Sequence, residues 1–504
     1  MADSARLGAA LTARLDPQRP PHVGVLLPNT PAFVHALGAA ALHGLVVVGL
    51  NSTRRGAALA ADVARADCQL VLTDAAGLAL LAPLDDLPAG VTVIDVEDPG
   101  WGRTVAAAAA EPPSRRCGPE DLLMLIFTSG TSGDPKAVRV THAKVAGPGV
   151  MLAERFGLTG ADVAYCAMPL FHSNAVMACW APALAAGAAV ALAPRFSASG
   201  FLPDVRRYGA TYANYVGKPL AYVLETPARA DDADNPLRLV FGNEAHERDI
   251  DRFAERFGCT VVDSYSSTEN AVIVQRRPGM PAGALGWPLP GVEVLDPETA
   301  LRTPDAVFDD DGRLLNADEA TGELVNTAGA GAFAGYYRDP AADAERMRGG
   351  MYWSGDLAYR DAAGWVYFAG RSADWLRVDG ENLAAAPIER LLLRHPAVAE
   401  VAVYGVPDPR SGDRLVAALR LTAPLTPTAF ERFLDAQPDL SPKARPAVVR
   451  IVADLPRTAT SKVLKRELVR AGVEPGPDLP GELWERDARG TGYEQRSGFD
   501  RLGR

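Results

Sequence analysis

Basic residues are in deficit in this chain: 51 lysines and arginines stand against 62 acids, a net charge of −11. A nucleic-acid platform needs a basic face, so that class is set aside, while a local basic pocket for a phosphorylated ligand stays open. Cysteine is scarce as well. Its five residues (Cys68, Cys117, Cys166, Cys179, Cys259) are scattered and contain no CxxC pair. That argues against a disulfide framework or a zinc site, and for small buried hydrophobes in a reducing cytosol. The N-terminus lacks the apolar core and cleavage site of a secretory signal. One charge-free run, Ala175 to Pro194, has the length of a membrane span. Its alanines have little drive to enter lipid, Pro182 lies inside it, and Gly187 reads as a helix stop before a buried strand. No transmembrane span is expected, and peripheral membrane contact is left open. No internal repeat is visible.

What is present is ordinary globular composition, 48% hydrophobic and 22% charged. At about 150 residues per domain, 504 residues predict roughly three compact units. Short apolar runs (residues 22–27, 45–49 and 68–73) alternate with helical patterns through the first two-thirds, which predicts an α/β fold with parallel sheets covered on both faces. Around 278–313 glycine, proline and acids dominate and a small β-rich subdomain is expected. After Arg371 the pattern restarts as a small α+β unit. The boundaries read as a large N-terminal domain of layered α/β/α subdomains over 1–372, a C-terminal domain over 373–475, and a disordered tail over 476–504.

The strongest local signal is LLMLIFTSGTSGDPKAVRV, residues 122–140. An apolar run ends in Thr128, Ser129, Gly130, Thr131, Ser132 and Gly133, followed by Lys136. Glycines let a backbone approach an anion, hydroxyls donate to phosphate oxygens and a lysine neutralises charge. The spacing is not that of the Walker loop.

This stretch resembles the phosphate loop of the AMP-forming adenylate enzymes: acyl-CoA synthetases, peptide-synthetase adenylation domains and luciferases. Further motifs follow in order. Pro169-Leu170-Phe171-His172 resembles the aromatic gate, Tyr265-Ser266-Ser267-Thr268-Glu269 the YGxTE motif, and Tyr352-Trp353-Ser354-Gly355-Asp356 the YxTGD motif. Gly322-Glu323-Leu324 with Gly335-Tyr336-Tyr337 matches another, Gly370-Arg371 sits at the hinge, and 456–462 resembles the catalytic-lysine segment. Tyr208–Leu220 and Val378–Asn382 look most like the fatty-acid transport protein and very-long-chain acyl-CoA synthetase branch.

The resemblance implies that a carboxylate attacks the α-phosphorus of ATP, releasing pyrophosphate, and that CoA then takes the acyl group, with a mobile small domain serving both steps. It implies that the loop 128–133 and Lys136 hold the outer phosphates, that Thr268 meets the α-phosphate, and that Thr128 and Glu269 ligate Mg²⁺. Gly242, Asn243, Glu244 and Tyr265 would line the adenine, Asp356 the ribose with Arg371 beside it. His172 would gate the acid, and Lys462 would bridge the carboxylate and the α-phosphate. Taken alone, Thr268-Glu269 is a helix cap, Asp356 a turn residue, Lys462 a solvated charge, and Arg206 and Arg207 a solvated helix face rather than a CoA site. The ordered set is what assigns the roles.

Five departures stand out: Ser266 and Asn270 where glycine is usual, Ala373 at the hinge, Ser461 before the lysine, and a start lacking the usual lead-in. The small residues after His172 leave room for an acyl tail, whereas Trp180 would close it. The expected activity is an acid:CoA ligase acting on a fatty or aryl acid. The alternatives are activation of nitrite for capture by an arylamine, and a non-catalytic nucleotide- or lipid-binding protein.

Overall fold

Short runs of β-branched and small apolar residues, punctuated by capped helices, build two parallel sheets in the first part of the chain. The computed structural model describes residues 1–496 apart from 83, 85–86, 114–115, 130–134, 246, 310–313, 372–374, 379–380, 409–411, 438–439, 441–443, 458–462, 474–480 and 488–489. Two units emerge: Met1–Ile273 with Gly329–Gly350, and Val274–Ala328 with the chain from Met351 onward.

In the first unit, one sheet runs Thr92–Asp95, Leu70–Thr73, His22–Leu26, Val46–Gly49, Leu122–Ser129, Pro135–Thr141. All neighbours are parallel except the last pair, an antiparallel hairpin. Three of its strands are buried at every residue, as expected where helices cover both faces. The second sheet sets Thr260–Tyr265, Leu239–Asn243, Tyr212–Val216, Val163–Cys166 and Ala189–Leu192 in parallel order.

The connecting helices start where a side-chain oxygen accepts an orphan N–H: Asp74 from Gly77, Asp98 from Trp101, Thr141 from Lys144 and Ser197 from Gly200. The charge-free run resolves into a π-helical turn, Val176–Trp180, then a six-residue helix, Ala181–Ala186, stopped by Gly187 at φ +68°. A left-handed residue there is what glycine supplies without steric cost. No helix among the described residues is long and apolar enough to cross a membrane.

The second unit contains an antiparallel sheet of Val292–Leu295, Gly322–Asn326, Met351–Arg360 and Val366–Arg371. Its other sheet includes Val398–Asp408, Gly412–Leu421, Val448–Ile451 and Glu482–Arg486. The disordered tail expected from residue 476 is corrected over the last of these strands. Trp484 is fully buried, with its ring 5.8 Å from that of Phe430. Two apolar residues, Leu483 and Trp484, anchor the strand inside a charged neighbourhood that carries no apolar periodicity.

Candidate active site

In open parallel sheets, ligands gather beyond the carboxyl ends of the strands. Asn243 and Tyr265 end neighbouring strands of the second sheet, and Asn243 aligns with Ser264 on one side and Val216 on the other. Gly242 is demanded by packing: a Cβ there would lie 2.2 Å from the Tyr215 carbonyl oxygen. Asn243 Nδ2 donates to the Ser264 carbonyl at 2.6 Å, and Asn174 Nδ2 donates to Asn243 Oδ1 at 3.3 Å. Glu244 follows at φ +66° and is exposed.

The segment after Val163–Cys166 supplies the opposing wall. Asn29, 4% exposed, holds it by donating to the Cys166 and Met168 carbonyls and accepting the Leu170 N–H at 2.9 Å. The ring of His172 lies 4.5 Å from that of Phe171. Ser173 Oγ is 3.0 Å from Thr268 Oγ1, and Asn174 Oδ1 accepts from Asn214 Nδ2 at 2.6 Å. The segment after Phe171, the strand ending at Asn243 and the Thr268 turn are thereby joined through hydrogen bonds. Arg206 is committed to Asp231 and the Asp234 carbonyl, in keeping with a helix-face residue.

Glu269 is buried and accepts the Tyr336 hydroxyl at 2.8 Å. Burial first, and then the Glu269 carboxylate, hold the Tyr336 phenol well above its usual range, so it remains a donor. Tyr336 is delivered by the hairpin strand: Val138 bridges it, and the Arg139 N–H donates to the Gly335 carbonyl at 3.0 Å. Lys136 sits opposite Thr128 in register, 5.5 Å from the centre of the Tyr336 ring. Its Nζ meets Glu345 Oε2 at 2.8 Å, and Glu345 is largely exposed. Ser129 ends its strand; Gly130, Thr131, Ser132 and Gly133 lie outside the described residues.

Two of the departures from the family pattern meet each other. Asn270 takes φ +53°, a conformation asparagine tolerates better than most non-glycine residues, and Ser266 Oγ donates to Asn270 Oδ1 at 2.8 Å.

The second unit carries Asp356. Its register partner on the neighbouring strand is Arg371. Gly355 turns at φ +75°, and its N–H donates to the buried Glu323 Oε1 at 2.6 Å. The Asp356 N–H donates to Ser354 Oγ at 3.1 Å. Glu323 thus supports the Asp356 turn from a motif that sequence matching marked without a role. Lys462, Ser461 and Ala373 lie outside the described residues. The flanks of the lysine segment close on one another: Arg457 bridges Val463, and the Leu464 N–H donates to the Pro456 carbonyl at 2.8 Å.

No cluster of three metal-ligating side chains is found among the described residues. Mg²⁺ does not require one where phosphates supply the other ligands: one or two protein oxygens plus waters suffice. A buried carboxylate, Glu269, with the hydroxyl of Thr128 fits that donor set.

The family model for AMP-binding enzymes matches residues 1–337, and the model for the AMP-binding enzyme C-terminal domain matches 387–462. The chain belongs to the AMP-binding enzyme family. It is 57% identical to the medium/long-chain-fatty-acid–CoA ligase FadD17 of Mycobacterium tuberculosis, over 93% of this chain and 90% of that protein. It is 50% identical to the steroid-22-oyl-CoA synthetase of Rhodococcus jostii, over 92% and 85%. Among solved structures, o-succinylbenzoate CoA synthetase from Bacillus subtilis in complex with ATP and magnesium ion superposes with a TM-score of 0.76 at 26% identity, covering 93% of each chain. This AMP-binding enzyme is an ATP-dependent, AMP-forming acyl-CoA ligase that uses Mg²⁺ and CoA. Nitrite activation draws no support from these relatives.

Sequence reasoning missed Asn29, Asn174 and Asn214. None was given a role, although Asn174 lies just past the Pro169–His172 motif and Asn214 lies within Tyr208–Leu220, because each matters through partners far along the chain.

Proposed function

We propose that the acid is lipid-sized, a medium- or long-chain fatty acid or a steroid side-chain acid, and that the residues act as follows. Thr128 and Lys136 at the mouth of the hairpin, with residues 129–133, receive the outer phosphates. Thr268, held by Ser173, donates to the α-phosphate. Glu269, oriented by Tyr336, and Thr128 hold Mg²⁺, which neutralises phosphate charge when bound. The acid carboxylate then attacks the α-phosphorus and pyrophosphate leaves. Asp356 accepts the ribose hydroxyls, and Lys462 bridges carboxylate and phosphate. In the second half-reaction the CoA thiol attacks the acyl carbonyl, the thiol proton is lost, and AMP leaves.

Gly242, Asn243, Glu244 and Tyr265 bound the adenine, and the wall beginning at His172 bounds the acid. The observation that carries this reading is the convergence of Ser173–Thr268, Asn174–Asn243 and Tyr336–Glu269 at one set of strand ends. A lipid acid is supported by the two relatives above, which are named for activity on fatty and steroid acids. A cytosolic location is supported by the five free cysteines, four of them buried.

The test is pyrophosphate release and thioester formation, followed by mass spectrometry, over saturated, steroid and aryl acids with ATP, Mg²⁺ and CoA. CoA thioesters with the highest kcat/KM on lipid acids are expected. A preference for short or aryl acids would refute the lipid assignment.

A further inference from the structure

Helix His142–Phe156 begins on the Thr141 cap, and the third residue after that cap is Lys144. Lys144 is 3% exposed, and its Nζ has no hydrogen-bond partner among the described residues. An ammonium carries three donors and no acceptor. Leaving all of them unmade in the interior costs more than leaving a neutral donor unmade. Lys136, nearly as buried, has the Glu345 carboxylate; Lys144 has nothing comparable among the described residues.

Its surroundings point to the ligand. Glu269 acts on Lys144 through space without hydrogen-bonding to it, and Glu269 Oε1 is taken by the Tyr336 hydroxyl. The buried ammonium therefore feels the charge of Glu269, the residue proposed above to hold Mg²⁺ beside the nucleotide phosphates. Burial lowers the Lys144 amine to about 8, with the Glu269 charge pulling the other way. At neutral pH it is still mostly cationic, which suits it to an anion.

We propose that Lys144 is an additional binding residue of the adenylation site, its ammonium completed by an anionic oxygen of a reactant, either the acid carboxylate or a nucleotide phosphate. This rests on the ligase reading above. The competing role is a structural counter-ion for Glu269.

The two roles differ in sign. A residue kept for a ligand is a burden on the ligand-free fold, whereas a counter-ion supports it. Full-length Lys144→Met, Lys144→Gln and the charge-retaining Lys144→Arg are compared by thermal melting and by calorimetric binding. The probes are a non-hydrolysable ATP analogue with Mg²⁺ and, separately, dodecanoate. Lys144→Met is expected to melt at or above the parent temperature and to lose about tenfold to a hundredfold in affinity for at least one probe, the size of a charge-assisted hydrogen bond. Lys144→Arg recovers part of it. Loss confined to dodecanoate assigns the carboxylate, and loss confined to the analogue assigns a phosphate.

Unchanged affinity for both probes overturns the proposal, whatever the melting temperature. Should the methionine variant not fold, the glutamine and arginine variants carry the same comparison. Failure of the parent protein to form any thioester would overturn the ligase reading instead, and the binding measurements would still report on Lys144.

Discussion

Replacing Tyr336 by phenylalanine isolates one hydrogen bond in the proposed phosphate site. The bond is 2.8 Å long, between a donor 3% exposed and an acceptor 7% exposed. Hydrogen bonds to charged groups contribute about 1.5–3 kcal/mol. At about 1.4 kcal/mol per decade that is roughly ten- to a hundredfold in the step that depends on it. The ring itself stays in place, edge-on to Phe333 at 5.1 Å and beneath Lys136, so the fold is expected to survive.

The assay separates the half-reactions. Acid-dependent ATP–pyrophosphate exchange, run over a series of Mg²⁺ concentrations, reads adenylation. Thioester formation from preformed acyl-adenylate reads transfer to CoA, which no longer involves pyrophosphate. Exchange is expected to lose the stated factor and to need more Mg²⁺, while thioester formation is unchanged. In a cycle with Glu269→Gln, the Tyr336 effect is expected to vanish, because its acceptor charge is gone. Unchanged exchange, or equal losses in both half-reactions, would refute the idea that Tyr336 acts by orienting Glu269.

Gly242→Ala forces a methyl against the Tyr215 carbonyl and is expected to cost about 1–3 kcal/mol in urea unfolding. Asn270→Ala, at φ +53°, is expected to destabilise by about 1 kcal/mol while Asn270→Gly does not; thermal melting distinguishes them. Alkaline stability follows from the tyrosines. Burial raises the phenols of Tyr165, Tyr212 and Tyr493 above their usual 10. Their contribution is therefore full below pH 10, where the unfolded chain begins to ionise, and is lost as pH rises beyond it; urea midpoints measured across that range are expected to fall.

Much of the site was legible because its motifs sit at the ends of apolar runs. Thr128 follows the buried run 123–127 near the end of its strand, Asn243 and Tyr265 end theirs, and Gly187 stops its helix as its residue type requires. The strand at Glu482–Arg486 was not legible, since two apolar residues give no period. Nor was the pairing of Ser266 with Asn270: each stands alone in the sequence as a residue where glycine is usual, and the structure turns them toward one another.

Local rules thus determined the elements, the Thr/Ser/Gly motif at 128–133 and the family, because capping, strand period and glycine's conformational freedom act between near neighbours. Only the tertiary structure decided that Tyr336 meets Glu269 across 67 residues, that Ser173 meets Thr268 across 95, and that the buried Lys144 ammonium has no hydrogen-bond partner among the described residues. Those contacts depend on which strands lie side by side and in what register. That is settled by the packing of whole layers, which no short stretch of chain encodes.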